Sequence, residues 1–252
     1  MSSLKLFISR EENFIGSALK IKRESPIKTE IIYIEDYIKN DDIFNINDND
    51  IIYFLSNVKL IPKIIEKLSL INCFIFNKDF LENCYLKDEV QKILYENEIN
   101  IPEIIPLEKI ERDSFPLFCK EKKHTGITFQ TYNEITLRSF FDKFEKKDFY
   151  LEKSIISNKK PSIETKIYYI NGKIYLKDKE KIEIDDKLID ISLKISKCLN
   201  NMDVFSADVI KLLDEYYIID VNPASGFYLS KNAREAWFEK MKEVRETVLF
   251  SI

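Results

Sequence analysis

Glycine is scarce, with four in 252 residues, at positions 16, 126, 172 and 226, so each one is worth locating. Histidine is scarcer still: His124 is the only one. The four cysteines, Cys73, Cys84, Cys119 and Cys198, share no Cys-x-x-Cys spacing. A zinc site of nitrogen and sulfur ligands therefore has too few partners in any one place. Nucleophilic catalysis by a Ser–His or Cys–His pair has no evident candidate either. The thiols read as free, buried groups in a reducing compartment. No stretch approaches the ~18 apolar residues of a membrane span. The opening MSSLKLFISREENF has an apolar run too short and too soon interrupted for a signal peptide. A soluble, cytoplasmic protein with no membrane partner is expected. Basic runs are missing as well: 39 Lys and Arg stand against 43 Asp and Glu, a formal charge of −4 without a basic tail, which argues against nucleic acid as a partner.

What is present is a globular composition. Hydrophobic residues make up 45% and charged residues 33% of the chain, enough apolar surface to offset ordering entropy. Apolar runs at 4–10, 29–36, 50–57 and 72–77 read as strands, and the segments 12–23 and 61–70 read as helices. Strand and helix alternate, so a parallel α/β sheet is expected, with ligands at the C-terminal strand ends. The loop 40–50 carries acids like a calcium loop but lacks its glycine and terminal glutamate, and reads as a turn. A helix over 86–97 leads into a segment punctuated by Pro102, Pro106 and Pro116, a connecting region.

Beyond it the pattern changes. Strands are expected at 115–123 and 149–155, around an amphipathic helix at 134–144, followed by a polar break at 157–162. A hairpin closed at Asn171-Gly172 comes next. A helix at 186–201, a second hairpin with strands 205–211 and 215–221, and a closing helix at 231–246 complete the chain. The divisions fall at 1–78, an α/β domain; 79–115, a helix and proline-rich connector; 116–153, a small lobe; and 154–252, a C-terminal lobe.

The second hairpin carries the chemistry. Asp208 lies on one strand, and Asp220 and Asn222 lie on the other, two apart and so on one face. Two carboxylates and an amide oxygen suit Mg²⁺, a hard ion usually held by one or two carboxylates together with phosphate and water oxygens. Burying them without a partner beside Ile218, Ile219 and Val221 would be costly. The alternative is that Asp and Asn here only cap turns, and Asn-Pro is itself a turn initiator.

The stretch DVFSADVIKLLDEYYIIDVNPASGF, with the lysine-bearing segments LKDEVQKIL and FPLFCK before it, resembles the ATP-grasp superfamily over roughly residues 87–227. The resemblance implies an α/β N-terminal domain followed by two α+β lobes of ATP-grasp type. It implies Asp208, Asp220 and Asn222 as Mg²⁺ ligands, Lys87 and Lys120 as the lysines that reach the ATP phosphates, and Gly126 in the loop that covers them. The main chain at Lys153 and Ser154 would meet the adenine edge with Glu152 alongside. Glu164 and Lys166 resemble an acid and a base of the following strand, the base facing the transferred phosphate. Each of these also has an ordinary reading, as a solvated charge or a same-face strand pair. Two features depart from the pattern: the phosphate loop has one glycine where several are usual, and Asp220 stands where many relatives carry Glu.

The implied activity is ATP- and Mg²⁺-dependent ligation of a carboxylate to an amine through an acyl phosphate, in which alignment and cations do most of the work. Arg10, past the first strand, and Arg234, after the hairpin, are candidates to cradle the substrate carboxylate, since Arg binds carboxylates bidentately. The substrates would be small molecules or peptides, and the apolar N-terminal strands would accept a dimer partner. The alternative is a nucleotide- or partner-binding module of the same fold without turnover.

Overall fold

Leu4–Ile8 (β1) is buried along its whole length, as expected of a central strand covered on both faces. It pairs in parallel with Thr29–Tyr33 (β2) and Ile51–Phe54 (β3), and β3 pairs in parallel with Phe74–Ile75 (β4). The sheet order is β2-β1-β3-β4. Its helices are Ile15–Glu24 (α1), Ile34–Lys39 (α2), Ile61–Leu68 (α3) and Lys78–Asn83 (α4). Lys5 is the polar exception inside β1. Its ammonium reaches Glu30 at 2.7 Å and the Asn45 carbonyl at 2.7 Å, with Asp50 at 3.7 Å, so the buried charge is compensated.

The structure is a computed structural model and describes residues 2–40, 44–56, 58–83, 85–123, 126–155, 162–178 and 182–250. Part of the expected acidic turn, 41–43, Cys84, His124 and Thr125 of the expected short turn, and most of the polar break lie outside them. The chain divides into two compact units, Met1–Cys84 with Lys166–Ser206 and Asn222–Ile252, and Tyr85–Thr165 with Ala207–Val221.

In the first unit the parallel sheet shares a core with Tyr168, Ile170, Val204, Phe227 and the helix Lys231–Phe250 (numbered α8 in chain order). Trp237, the only tryptophan, is fully buried there, with Phe227 stacked at 5.1 Å and Tyr53 at 4.8 Å between ring centroids. Tyr53 donates its hydroxyl to the Ser225 carbonyl at 2.7 Å.

The second unit opens with Lys87–Glu96 (α5) and is built on three antiparallel strands, Leu117–Glu121 (β5), Thr128–Thr131 (β6) and Phe149–Lys153 (β7), in the order β6-β5-β7. Helix Glu134–Phe141 (α6) starts at Asn133, whose side chain accepts from the Thr136 N–H at 3.0 Å, the usual service of an asparagine N-cap. Phe140 forms the centre of this core, within 4.7–5.0 Å of Phe129, Phe144 and Phe149. Leu117, Cys119, Leu137 and Leu151 close it.

A third sheet has the order β11-β10-β8-β9, from Ser162–Ile170 (β8), Lys173–Leu176 (β9), Val204–Leu212 (β10) and Glu215–Asn222 (β11). Helix Asp186–Cys198 (α7) lies between the two hairpins in sequence. Asn171 and Gly172 have φ of 45° and 86°, the left-handed pair a two-residue hairpin turn requires. Strand and helix positions read from the pattern are found with small shifts, and a mixed α/β fold with several sheets is what the chain adopts. Residues 29–36 differ: the strand ends at Tyr33 and a helix begins, with Glu35 and Asp36 in its first turn, where carboxylates favour the positive end of the helix. Helix α4 and strand β6 are also additions to the sequence reading.

The tight packing of Trp237 has a measurable cost. Its indole N–H has no hydrogen-bond partner among the described residues. Trp237→Ala is expected to lose about 3–5 kcal/mol in urea denaturation followed by circular dichroism. Trp237→Phe, which sacrifices no hydrogen bond, should lose only about 1–2 kcal/mol.

Candidate active site

Alternation along β5 divides its side chains into two sets. Leu117 and Cys119 are fully buried in the aromatic core, so Phe118 and Lys120 point to the other face. The register extends that face across the sheet: Phe118 is opposite Glu152 and Gln130, and Lys120 is opposite Tyr150 and Thr128. One side of a small sheet therefore presents a lysine, a glutamate, a tyrosine and a threonine.

The charges on this face are arranged in pairs. Lys120 Nζ lies 2.5 Å from Glu152 Oε2 and donates to the Ile219 carbonyl of β11 at 2.7 Å. Glu152 is 1% exposed, and its Oε1 has no hydrogen-bond partner among the described residues. Burial pushes the Glu152 carboxyl above the usual range, and the charge and hydrogen bond of Lys120 pull it back down. The buried Tyr150 hydroxyl is pushed up too, by burial first and then by the charges of Glu152 and Asp220.

Lys87 is the first residue of α5, and its ammonium lies 3.4 Å from Asp220 Oδ2. Its neighbour Asp88 pairs with Lys122 at 3.0 Å, while the Lys87 N–H donates to the Lys122 carbonyl at 2.8 Å. The helix start is thus tied to the strand that carries Lys120. The proline-rich segment is tied in as well: Ile105 N–H donates to the Leu151 carbonyl at 2.9 Å and Lys153 N–H to the Glu103 carbonyl at 2.8 Å, along the edge of β7. Ile218 N–H of β11 donates to the Asn100 carbonyl at 2.9 Å.

These elements enclose a cavity of about 270 Å³ whose walls include Lys87, Lys120, Glu152, Lys153, Ser154, Glu164, Asp208 and Asp220. Eight of the residues singled out from the sequence thus line one space. Pro102, Phe118, Thr128, Ile155, Ile210 and Ile219 complete the wall, none of them anticipated. Phe118 was legible in principle from the alternation of β5, but Pro102 was not, because the connector gives no strand signal. A larger groove of about 560 Å³, between Ile110, Phe115, Tyr132 and Ile135, lies elsewhere in the same unit. Its charged lining is Glu111, Arg112 and Glu134, without a lysine, so chemistry rather than size selects the smaller cavity.

The remaining candidates lie outside this wall. Gly126 stands before β6, and a β-carbon there would collide with Glu121 Cβ and lie 2.9 Å from the Lys123 carbonyl, so close approach of the chain requires glycine. Lys166, Asn222, Arg10 and Arg234 belong to the first unit. Asn222 Oδ1 accepts from the Ala224 N–H at 2.9 Å, an Asx turn at the strand end. Arg10 forms two bonds to Asp36 at 2.8 and 2.5 Å and sits 4.3 Å over the Tyr33 ring. Arg234 Nε pairs with Glu24 at 2.7 Å. Both arginines thus have carboxylate partners inside the protein. The Lys166 carbonyl accepts from the Lys177 N–H at 3.0 Å.

A divalent cation suits the wall. Asp208 and Asp220 offer hard carboxylate oxygens on it, and Mg²⁺ characteristically takes one or two carboxylates and completes its shell with phosphate and water. No group of three or more His, Cys, Asp or Glu side chains among the described residues is placed to hold a metal, so any ion here would depend on ligand oxygens.

Neither a protein-family model nor a curated protein sequence matches the chain. Solved structures do match in shape. A D-alanine–D-alanine ligase from Bacillus anthracis, crystallised with ATP, is 17% identical with a TM-score of 0.71, covering 100% of this chain and 98% of that one. The ATP-grasp ligase PsnB, with minimal precursor, Mg and ADP, is 11% identical with a TM-score of 0.66, covering 96% and 98%. The VanG D-Ala:D-Ser ligase from Enterococcus faecalis is 13% identical with a TM-score of 0.66, covering 98% and 99%. The chain has the ATP-grasp fold.

The ATP-grasp resemblance of the hairpin DVFSADVIKLLDEYYIIDVNP thus holds for the fold of the whole chain. Within that fold, Glu152 gives a pH-dependent signature. Its carboxyl is raised in the folded state, so its contribution to stability is full below the ordinary glutamate pKa of about 4.3 and is lost as pH rises through the raised value. Across that window the melting temperature of the wild type should fall relative to Glu152→Gln. Parallel curves would mean that Lys120 balances burial, and a relative rise of the wild type that Lys120 outweighs it.

Proposed function

We propose that this ATP-grasp chain is an ATP- and Mg²⁺-dependent ligase that joins a carboxylate to an amine through an acyl phosphate. The observation that carries the reading is the convergence of Lys87, Lys120, Asp208 and Asp220 on one cavity, in a chain whose shape matches ligases crystallised with ATP or with Mg and ADP. Lys120 and Lys87 would hold the phosphates, and the Lys153–Ser154 main chain the adenine edge, with Glu152 and Glu164 beside it. Asp208, Asp220 and Asn222 would hold Mg²⁺. That ion would supply Lewis-acid charge on the phosphate oxygens. Gly126 would give the covering loop its close turn.

The reaction needs no nucleophile from the protein. A substrate carboxylate attacks the γ-phosphorus, breaking its bond to the leaving ADP and giving the acyl phosphate; an amine then attacks the acyl carbon, phosphate leaves, and the nitrogen loses a proton to give the amide. The chain's own contribution is orientation and a positive field, from Lys87 and Lys120 on the cavity wall, with Lys166 the candidate base. Arg10 and Arg234 are the candidates for the substrate carboxylate. The division into an N-terminal α/β domain (1–78), a connector (79–115), a small lobe (116–153) and a C-terminal lobe (154–252) belongs to this proposal, as does a cytoplasmic location; no helix among the described residues is long and apolar enough to cross a membrane. Small-molecule or peptide substrates are the expected class, since the neighbours include a D-Ala:D-Ser ligase and a ligase crystallised with a precursor peptide.

Ligand bound only to the native state raises its stability, by about 2.7 kcal/mol at a hundred times Kd. A non-hydrolysable ATP analogue with Mg²⁺ should therefore raise the melting temperature of the wild type by several degrees and that of Asp220→Ala far less. Equal shifts would remove Asp220 from the site. Phosphate release from ATP that requires both a carboxylate and an amine would establish ligation. Nucleotide binding without release for any pair would favour the binding module that a one-glycine loop permits.

A further inference from the structure

A lysine is an unusual first residue for a helix. The N-terminal turn is the positive end of the macrodipole, where carboxylates are favoured and cations disfavoured. Helix α5 has the favoured acids in Asp88 and Glu89, yet it begins with Lys87. The Lys87 side chain is only 12% exposed, and Asp220 Oδ2 lies 3.4 Å from its ammonium. Asp220 therefore faces the Lys87 ammonium, and both residues line the cavity. A carboxylate in contact with an ammonium is a poorer cation ligand than one in water, because the incoming ion must displace or repel the charge already there.

Given the nucleotide site proposed above, on which this rests, we infer that Lys87 and a divalent cation compete for Asp220 and that nucleotide phosphate resolves the competition. Lys87 holds Asp220 against metal alone. When a polyphosphate enters with its metal, the ammonium transfers from the carboxylate to phosphate oxygens, and Asp220 becomes available to the ion. Metal and nucleotide then bind with positive coupling, each favouring the other equally. Lys87 is a positioning residue for the metal and a binding residue for the nucleotide.

The test is a Mn²⁺ titration of the full chain without nucleotide, free Mn²⁺ being read by electron paramagnetic resonance. Lys87→Met is expected to bind Mn²⁺ alone about fivefold more tightly than the wild type, the factor expected for release of a partly exposed ion pair, while binding a non-hydrolysable ATP analogue with Mg²⁺ more weakly. Lys92→Met removes the same charge from the exposed side of the same helix, where Lys92 pairs with Glu96, and should leave Mn²⁺ affinity unchanged. The double variant Lys87→Met with Asp220→Asn should lose the gain. Lys87→Gln serves if the methionine variant misfolds by circular dichroism. Equal Mn²⁺ affinity in Lys87→Met and wild type, with Asp220→Asn weakened, would overturn the exchange and leave the nucleotide site standing. An equal gain in Lys92→Met would reduce the effect to bulk charge and also overturn it. Failure of the wild type to bind the analogue with Mg²⁺ would overturn the exchange and the site together.

Discussion

The ion pair between Lys120 and Glu152 is the constraint around which the small antiparallel sheet is organised. Neither side chain could be buried alone, since an isolated charge in apolar surroundings costs far more than a strand pairing returns. The register of β5 against β7 sets Phe118 opposite Glu152 and Lys120 opposite Tyr150, so the pair spans the sheet diagonally and fixes the face that carries it. A one-residue slip would send Lys120 into the aromatic core and Cys119 into the cavity. The pair therefore acts less as a source of stability than as a lock on register. The Oε1 of Glu152, without a hydrogen-bond partner among the described residues, is the kind of local violation that folds tolerate where a ligand completes the hydrogen bonding.

Three hydrogen-bonded connections convert that face into a cavity. The Ile219 carbonyl accepts from Lys120, the Asn100 carbonyl accepts from Ile218, and residues 103–105 run along the outer edge of β7. Each is a hydrogen bond between segments distant in sequence, and each brings a wall residue with it: Ile219, Pro102 and Glu152. Apolar side chains fill the spaces between the charges, which keeps the local dielectric low and the charge interactions strong.

The sequence disclosed those parts of the molecule whose signal is local. The Asn171-Gly172 turn, the hairpin strands at Val204–Leu212 and Glu215–Asn222, and the helices Asp186–Cys198 and Lys87–Glu96 follow from turn chemistry and periodicity within their own segments. Lys120 could be singled out because it closes an apolar strand. What stayed hidden depends on partners. Helix α2 continues directly from a strand without a break in its apolar pattern. The proline-rich connector pairs with β7 through backbone groups that leave no trace in residue type. The engagement of Arg10 by Asp36, 26 residues away, is likewise invisible to a reading that sees only a lone arginine after a strand.

The charge balance of the cavity follows from the same wall. Lys87, Lys120 and Lys153 are outnumbered by Glu152, Glu164, Asp208 and Asp220, and Lys120 and Lys87 already have carboxylate partners. A wall of this kind folds without a ligand, because its charges largely satisfy one another. It does not attract a bare polyanion, since the excess acid repels it at close range. A polyphosphate can be accommodated only if it arrives with cations that reverse the local sign, or if the lysines exchange their carboxylates for phosphate oxygens. Under the proposed function, the pairing that lets the site fold would also favour a metal-bound nucleotide over either component alone.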